Sequence, residues 1–253
     1  MDALLGRLGL ADDDRRELLA APGDDPALVE ERRLEVVAGM GDAAAPAPKW
    51  PFDPAAPWLH LRALLATLPD VRRFHAERGI ADETSWATLA DLGRHTALDR
   101  LLHGSPGLRK GWWLALHFRG LLYELGRLQF ELRRDDVSVH IPESGRLDGR
   151  ACDDSFAHAR ALFPGRELRC TSWLLDPQLA EYLHGGSNIL RFQRRFEPET
   201  EGAECDAAVL AFVFHRLRPD LDDLPQRTTL ERALVAHLRA GRHWHAPRGR
   251  LAG

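Results

Sequence analysis

Cysteine is scarce in this chain. The three present, Cys152, Cys170 and Cys205, are odd in number and widely spaced, with no CxxC pair. That excludes a disulfide framework and the usual zinc spacings, so reduced thiols are expected. Lysine is scarcer still: Lys49 and Lys110 are the only two, and the remaining basic residues are arginine. The basic footprint of a nucleic-acid binder is missing. Residues 1–57 hold 6 Lys/Arg against 12 Asp/Glu, the remainder holds 28 against 26, and the formal net charge is −4. No apolar run approaches the roughly 18–20 residues that crossing a bilayer takes. The opening MDALLGRLGLADDDRREL has no basic region ahead of an apolar one, so no signal peptide is predicted and the cytoplasm is the expected compartment.

What is present is a helical first half. Residues 2–20 carry two short helical patterns, with Asp12 as an N-cap. Asp25-Pro26 starts a third, with proline at the first helical position. Residues 41–57, GDAAAPAPKWPFDPAAP, form a Pro/Ala linker anchored by Trp50 and Phe52. Leu61, Leu64, Leu65 and Leu68 share a helical face over 58–79, which Pro69 is expected to kink or end. The pattern Trp86, Leu89, Leu92, Leu98 and Leu101 predicts one helix from an Asp82 cap to Gly104, and GWWLALHFRG a further short one. Residues 1–120 thus read as a mostly helical domain.

The period changes after Leu121. Alternation from Leu122 to Leu132 predicts extended hairpin structure, and VSVHI a strand ending at Pro142. Phe156, Ala159, Leu162 and Phe163 give a helix face, and Leu168–Leu175 a further strand. Asp176-Pro177 caps a short helix. Ile189–Phe196 and AAVLAFVFHRL read as strands, the second apolar enough to be central. Thr229 is expected to cap the last helix, and HAPRGRLAG to fray. The fold class is α+β: a helical N-terminal domain, then residues 121–253 as a mixed β-sheet flanked by helices.

In HIPESG, CDDSF, CTSWLLDP and SNILRFQRRF the chain resembles bacterial two-domain proteins with a helical N-acyltransferase-type N-terminal domain and a GNAT-like C-terminal domain. The resemblance implies an acyl-CoA co-substrate, with acetyl-CoA as the default donor, and a small-molecule or peptide amine as acceptor. Neither nucleic acid nor a membrane is called for. It further implies that the loop 143–151 holds the coenzyme A pyrophosphate, because backbone N–H groups at a helix N-terminus make an anion site. The superfamily pattern Arg/Gln-x-x-Gly-x-Gly/Ala fits Arg146 to Ala151, so Ser144, Gly145, Arg146, Gly149, Arg150 and Ala151 are the expected cofactor residues. Asp148 adds a negative charge in that loop, and a polar turn is the plain alternative. Asn188 would touch the pantetheine or close the GGSN turn.

A base is needed because an ammonium has no lone pair with which to attack a thioester. His140, at the end of VSVHI, suits that task near neutral pH, and Glu143 is the second candidate. The resemblance also implies Tyr182 as the acid that reprotonates the thiolate, with plain packing as its alternative. Cys152 lies in the first turn of a helix, where the dipole would lower a thiol pKa and suit a nucleophile, with packing as the plain reading. His243-x-His245 is a possible metal pair without an evident third ligand. The rival to an N-acyltransferase is a catalytically inactive GNAT-shaped protein that senses a ligand or mediates assembly.

Overall fold

A computed structural model describes residues 1–143 and 145–252. The chain divides into two compact units. One holds residues 1–124 with 131–134, and the other holds 125–130 with those from Asp135 onward.

The first unit contains seven helices: α1 (Asp2–Arg7), α2 (Asp12–Ala20), α3 (Pro26–Ala38), α4 (Leu59–Glu77), α5 (Asp82–Leu89), α6 (Asp91–His103) and α7 (Gly111–Phe118). Asp25 caps α3 by accepting from the Ala27 amide, with Pro26 at the first position. Leu61, Leu64, Leu68 and Val71 line the buried face of α4 and meet Leu5, Leu8, Val36, Leu89, Leu92, Leu114 and Phe118 in one core. Pro69 lies within α4 without ending it. Trp50 anchors the irregular 41–57 segment: it is buried, and its Nε1 donates to Glu35 at 2.8 Å. Two expected caps differ. Asp12 and Asp82 are first helical residues, preceded by Ala11 and Ala81, and their carboxylates meet the positive end of the helix dipole instead. The single helix expected over 82–104 breaks at Ala90, where α5 gives way to α6 and the Gly93 amide donates to Leu8 O at 3.0 Å.

Two buried histidines matter to the stability of this unit. His117, fully buried, places Nε2 3.0 Å from Asp91 Oδ2, and His95 lies 3.4 Å from the same oxygen. Burial acts to raise the Asp91 pKa, but its contacts with His117 and then His95 outweigh that and hold the carboxyl well below the usual range. His75 is also fully buried, with Nδ1 2.7 Å from Ser85 Oγ. Burial first, then Arg72 and Arg78, lower its pKa to about 4. An unfolded histidine titrates near 6.5, so the unfolded chain takes up this proton first as pH falls. The contribution is complete above about pH 6.5 and is lost as pH drops towards 4. We expect chemical denaturation to show wild type losing about 2 kcal/mol more stability than His75→Gln between pH 7 and pH 5. Equal slopes for the two proteins would refute the assignment.

The sheet comprises β1 (Leu122–Leu125), β2 (Leu128–Leu132), β3 (Val137–His140), β4 (Leu168–Thr171), β5 (Phe196–Pro198) and β8 (Arg248–Leu251), in the order β1-β2-β3-β4-β8-β5. β3 and β4 are parallel, whereas β8 runs antiparallel to both β4 and β5, so the sheet is mixed. The helices are α8 (Gly149–Leu162), α9 (Asn188–Gln193), α10 (Asp206–Phe214) and α11 (Thr229–Arg239). β6 (Ala203–Glu204) and β7 (His245–Ala246) form a separate pair. Short 3₁₀ turns occupy Trp173–Leu175 and Pro177–Glu181. No helix among the described residues is long and apolar enough to cross a membrane.

Four expectations are corrected here. Ile189–Phe196 is mostly helix α9, because Ser187 accepts from the Leu190 amide and caps it. AAVLAFVF is helix α10, not a central strand. The last helix is capped by Thr228, not Thr229. Thr228 lies three residues before Glu231, and the two form a reciprocal capping box. The tail does not fray. Arg248–Leu251 is an inner strand, and Gly249 is small because a Cβ there would lie 2.9 Å from Phe196 Cβ. Its arginines reach acids elsewhere in the sheet region: Arg248 pairs with Asp136, just before β3, and Arg250 with Glu197 of the neighbouring β5.

Candidate functional site

The parallel ladder of β3 and β4 matches Val137 with Leu168, Ser138 with Arg169 and Val139 with Cys170. His140 is the next residue of β3, one step past the last matched pair, and it is half-buried. Pro142 comes two residues later. It has no N–H with which to continue a ladder. On the other side Thr171 pairs with Arg248 of β8, and the chain then turns into the 3₁₀ segment at Trp173. The two strands therefore stop matching at the position of the expected base.

Arg127 reaches the loop after β3. Arg127 donates through Nε to the Arg146 carbonyl at 2.8 Å, and through Nη2 to the Pro142 and Gly145 carbonyls at 3.1 and 3.2 Å. Its own amide donates to Ser155 Oγ of α8 at 2.8 Å. Arg127 was not among the residues singled out from the sequence. It lies in a turn between two strands, far from the loop in the chain, so no local signal marks it. Ser144 lies outside the described residues.

Gly149, Arg150 and Ala151 form the first turn of α8, the placement expected for them. Asp148 is the N-cap, accepting from the Ala151 amide at 3.0 Å. That bond, then the Arg150 amide and the charges of Arg150 and Arg191, keep its carboxyl below the usual range. Across the same turn Arg195 donates to the Gly149 carbonyl at 3.0 Å and pairs with Asp153. The start of α8 thus carries a capping carboxylate with the charges of Arg150 and Arg191 acting on it, and Arg195 bound to the same turn. Asn188 does not close the GGSN turn. It is the first residue of α9, and its Oδ1 accepts from Arg191.

Tyr182 ends the second 3₁₀ turn, half-buried, with its hydroxyl 3.1 Å from Nδ1 of the buried His237. The other ring nitrogen of His237 lies 3.2 Å from the His243 carbonyl. A carbonyl only accepts, so Nε2 carries the hydrogen, and the Nδ1 of the neutral ring accepts from Tyr182. Glu143 places Oε2 4.0 Å from Nδ1 of His215, another residue that the sequence did not mark.

The cysteines are not activated. Burial raises the Cys152 pKa more than the nearby Arg195 and Arg127 lower it. Burial alone lifts Cys170 to about 12, and burial followed by Asp206 lifts Cys205 to about 11. The lowered thiol pKa that a nucleophilic Cys152 requires is therefore reversed in direction. His243 and His245 diverge. His243 Nδ1 meets Asp206 at 2.7 Å and Glu204 at 3.5 Å, whereas His245 lies 3.8 Å from Asp176.

Comparison with known proteins identifies the family of both units. Residues 1–120 match the family model of an N-acyltransferase N-terminal domain, and residues 122–251 that of a GNAT-like C-terminal domain. The chain is similar to the crystal structure of an acyltransferase in complex with decanoyl-CoA and teicoplanin. The two are 42% identical with a TM-score of 0.92, covering 98% of this chain and 86% of that one. A mutant acyltransferase in complex with octanoyl-CoA is 41% identical, with a TM-score of 0.91 and the same coverage of both chains. An acyltransferase in complex with CoA and 10C-teicoplanin is 41% identical, with a TM-score of 0.92, again over 98% and 86%. No curated protein sequence matches the chain.

Proposed function

Because this chain belongs to the acyltransferases that join an N-acyltransferase N-terminal domain to a GNAT-like C-terminal domain, we propose that it moves a medium-length acyl group from coenzyme A to the amine of a glycopeptide-like acceptor. The observation that carries this reading is the likeness, at 42% identity over 98% of the chain, to an acyltransferase in complex with decanoyl-CoA and teicoplanin. The acetyl donor expected by default has no counterpart among the neighbours, which hold decanoyl and octanoyl chains. Helix α10 supports a longer chain. It is apolar on every side, yet Leu210, Phe212 and Val213 are only half-buried. Phe212 meets Trp173, just past the end of β4, edge-on at 5.8 Å. An acyl tail leaving the parted strands would find apolar surface there.

In the proposed reaction the acceptor nitrogen uses its lone pair to form a C–N bond to the thioester carbon. The proton it sheds goes to the base at the end of β3, His140 or the nearby Glu143. Backbone amides freed where β3 and β4 part would stabilise the oxyanion. The C–S bond then breaks with its electrons on sulfur, and the thiolate takes a proton from Tyr182, whose hydroxyl hydrogen must rotate away from His237. Gly145, Arg146, Gly149, Arg150 and Ala151 would hold the coenzyme phosphates, with arginine side chains providing the charge that the Asp148 cap offsets. Ser144, carried over from the sequence alone, and Asn188, as a contact of the pantetheine arm, would complete the set.

Calorimetry and mass spectrometry test the reading together. Decanoyl-CoA is expected to bind at least ~10-fold more tightly than acetyl-CoA, since each buried methylene contributes up to ~0.8 kcal/mol. Teicoplanin should gain one decanoyl mass increment. Absence of binding by either thioester up to millimolar concentration would instead support an inactive GNAT-shaped sensor.

A further inference from the structure

His215 comes directly after the last residue of α10 and caps its C-terminus. Among the described residues it is the only non-glycine with a positive φ, +53°. A left-handed residue is common at a helix C-terminus, but glycine takes that conformation without a Cβ penalty. Histidine there costs backbone energy, and such residues cluster at functional sites. The side chain is also unusual. Its Nδ1 is buried without a hydrogen-bond partner, while the imidazole keeps 36% of its surface open. The carboxylate oxygen Oε2 of Glu143 lies 4.0 Å from that nitrogen. Glu143 lies three residues beyond His140, and one turn back along α10 Phe212 touches Trp173 beyond β4. The end of α10 thus sits at the mouth where β3 and β4 cease to pair.

We propose that His215 is a catalytic base of the transfer, with Glu143 acting through it as a positioning residue. This rests on the acyltransferase reading above and puts His215, in place of His140 or Glu143, as the group that takes the proton. Nδ1 faces the carboxylate, so Nε2 is the nitrogen left for the acceptor amine. This is the arrangement of a base oriented by a third group. As the C–N bond forms, Nε2 takes the proton from the amine. Glu143 closes the remaining ångström or so onto Nδ1–H and steadies the imidazolium. The C–S electrons leave with the thiolate, which Tyr182 protonates, and His215 and Tyr182 recover their starting states by exchanging one proton with water.

The backbone makes the test clean. His215→Gly removes the imidazole but suits the left-handed cap, and His215→Asn also tolerates it. With decanoyl-CoA and teicoplanin, both variants are expected to melt within a few degrees of wild type. Their kcat should fall on the order of 100-fold, the size of a lost general base, with KM changed less than about threefold. Imidazole added to the glycine variant should restore at least ~10-fold of the rate. Glu143→Gln should add little further loss in the His215→Gly background, since groups acting as one unit are not additive. A glycine variant within twofold of wild type, no imidazole rescue, or fully additive losses would overturn the proposal while leaving the acyltransferase reading intact. A wild type that transfers nothing would overturn both.

Discussion

Arg127→Ala is expected to raise KM for decanoyl-CoA on the order of 30- to 100-fold and to leave kcat within a few-fold of wild type. The guanidinium donates to three carbonyls between Pro142 and Arg146. Hydrogen bonds from a charged donor contribute about 1.5–3 kcal/mol each where they are sheltered, and less for the exposed ones here. Losing all three frees the loop proposed to meet the coenzyme phosphates, so its amides must be ordered again at each binding event. Lysine offers one ammonium where the fork spans several acceptors, so Arg127→Lys should recover only part of the loss. Titration of coenzyme A alone would separate this from a chemical effect. Unchanged affinity in the alanine variant would show that the loop needs no such support.

Gly93→Ala is expected to lower stability by about 3–5 kcal/mol, enough to unfold much of a marginal domain. Inside an exposed helix the same change would stabilise. Here the added Cβ would lie 2.0 Å from the Gly9 carbonyl carbon and 2.1 Å from its oxygen, and the loop after α1 has only backbone to move. The Gly93 amide also donates to Leu8 O at 3.0 Å, so displacement breaks a hydrogen bond as well. Urea denaturation monitored by helical circular dichroism measures it. A variant within 1 kcal/mol of wild type would mean the α1–α2 loop is free to retreat.

Much of this architecture is legible in the chain because local and tertiary signals agree. Asp25-Pro26 opens α3 and Asp176-Pro177 opens the second 3₁₀ turn, the α4 leucines share one buried face, and VSVH is a strand. The failures have physical causes. AAVLAFVF is apolar on every side, so periodicity cannot separate a strand from a helix, and its length is compatible with either. α9 hides behind Arg-Phe alternation, although Ser187 three residues before Leu190 was a readable cap. RGRL is too short and too charged to resemble an inner strand, and its arginines become compatible with the sheet only through acids elsewhere in the chain. At the site, the position of His140 at the end of β3 and the first turn of α8 could be placed in advance. Arg127 and His215 could not, because each matters through partners distant in sequence.

The position of β8 has a consequence for biosynthesis. β4, which carries one side of the proposed thioester cleft, has β8 as its other neighbour, and β5 joins the sheet only through β8. While a ribosome is still making residues 172–247, β4 offers one bare edge of unpaired amides and carbonyls to solvent, the kind of surface on which chaperones and aggregation compete. The sheet can close only after residue 251 clears the exit tunnel, so its assembly is a late, long-range event.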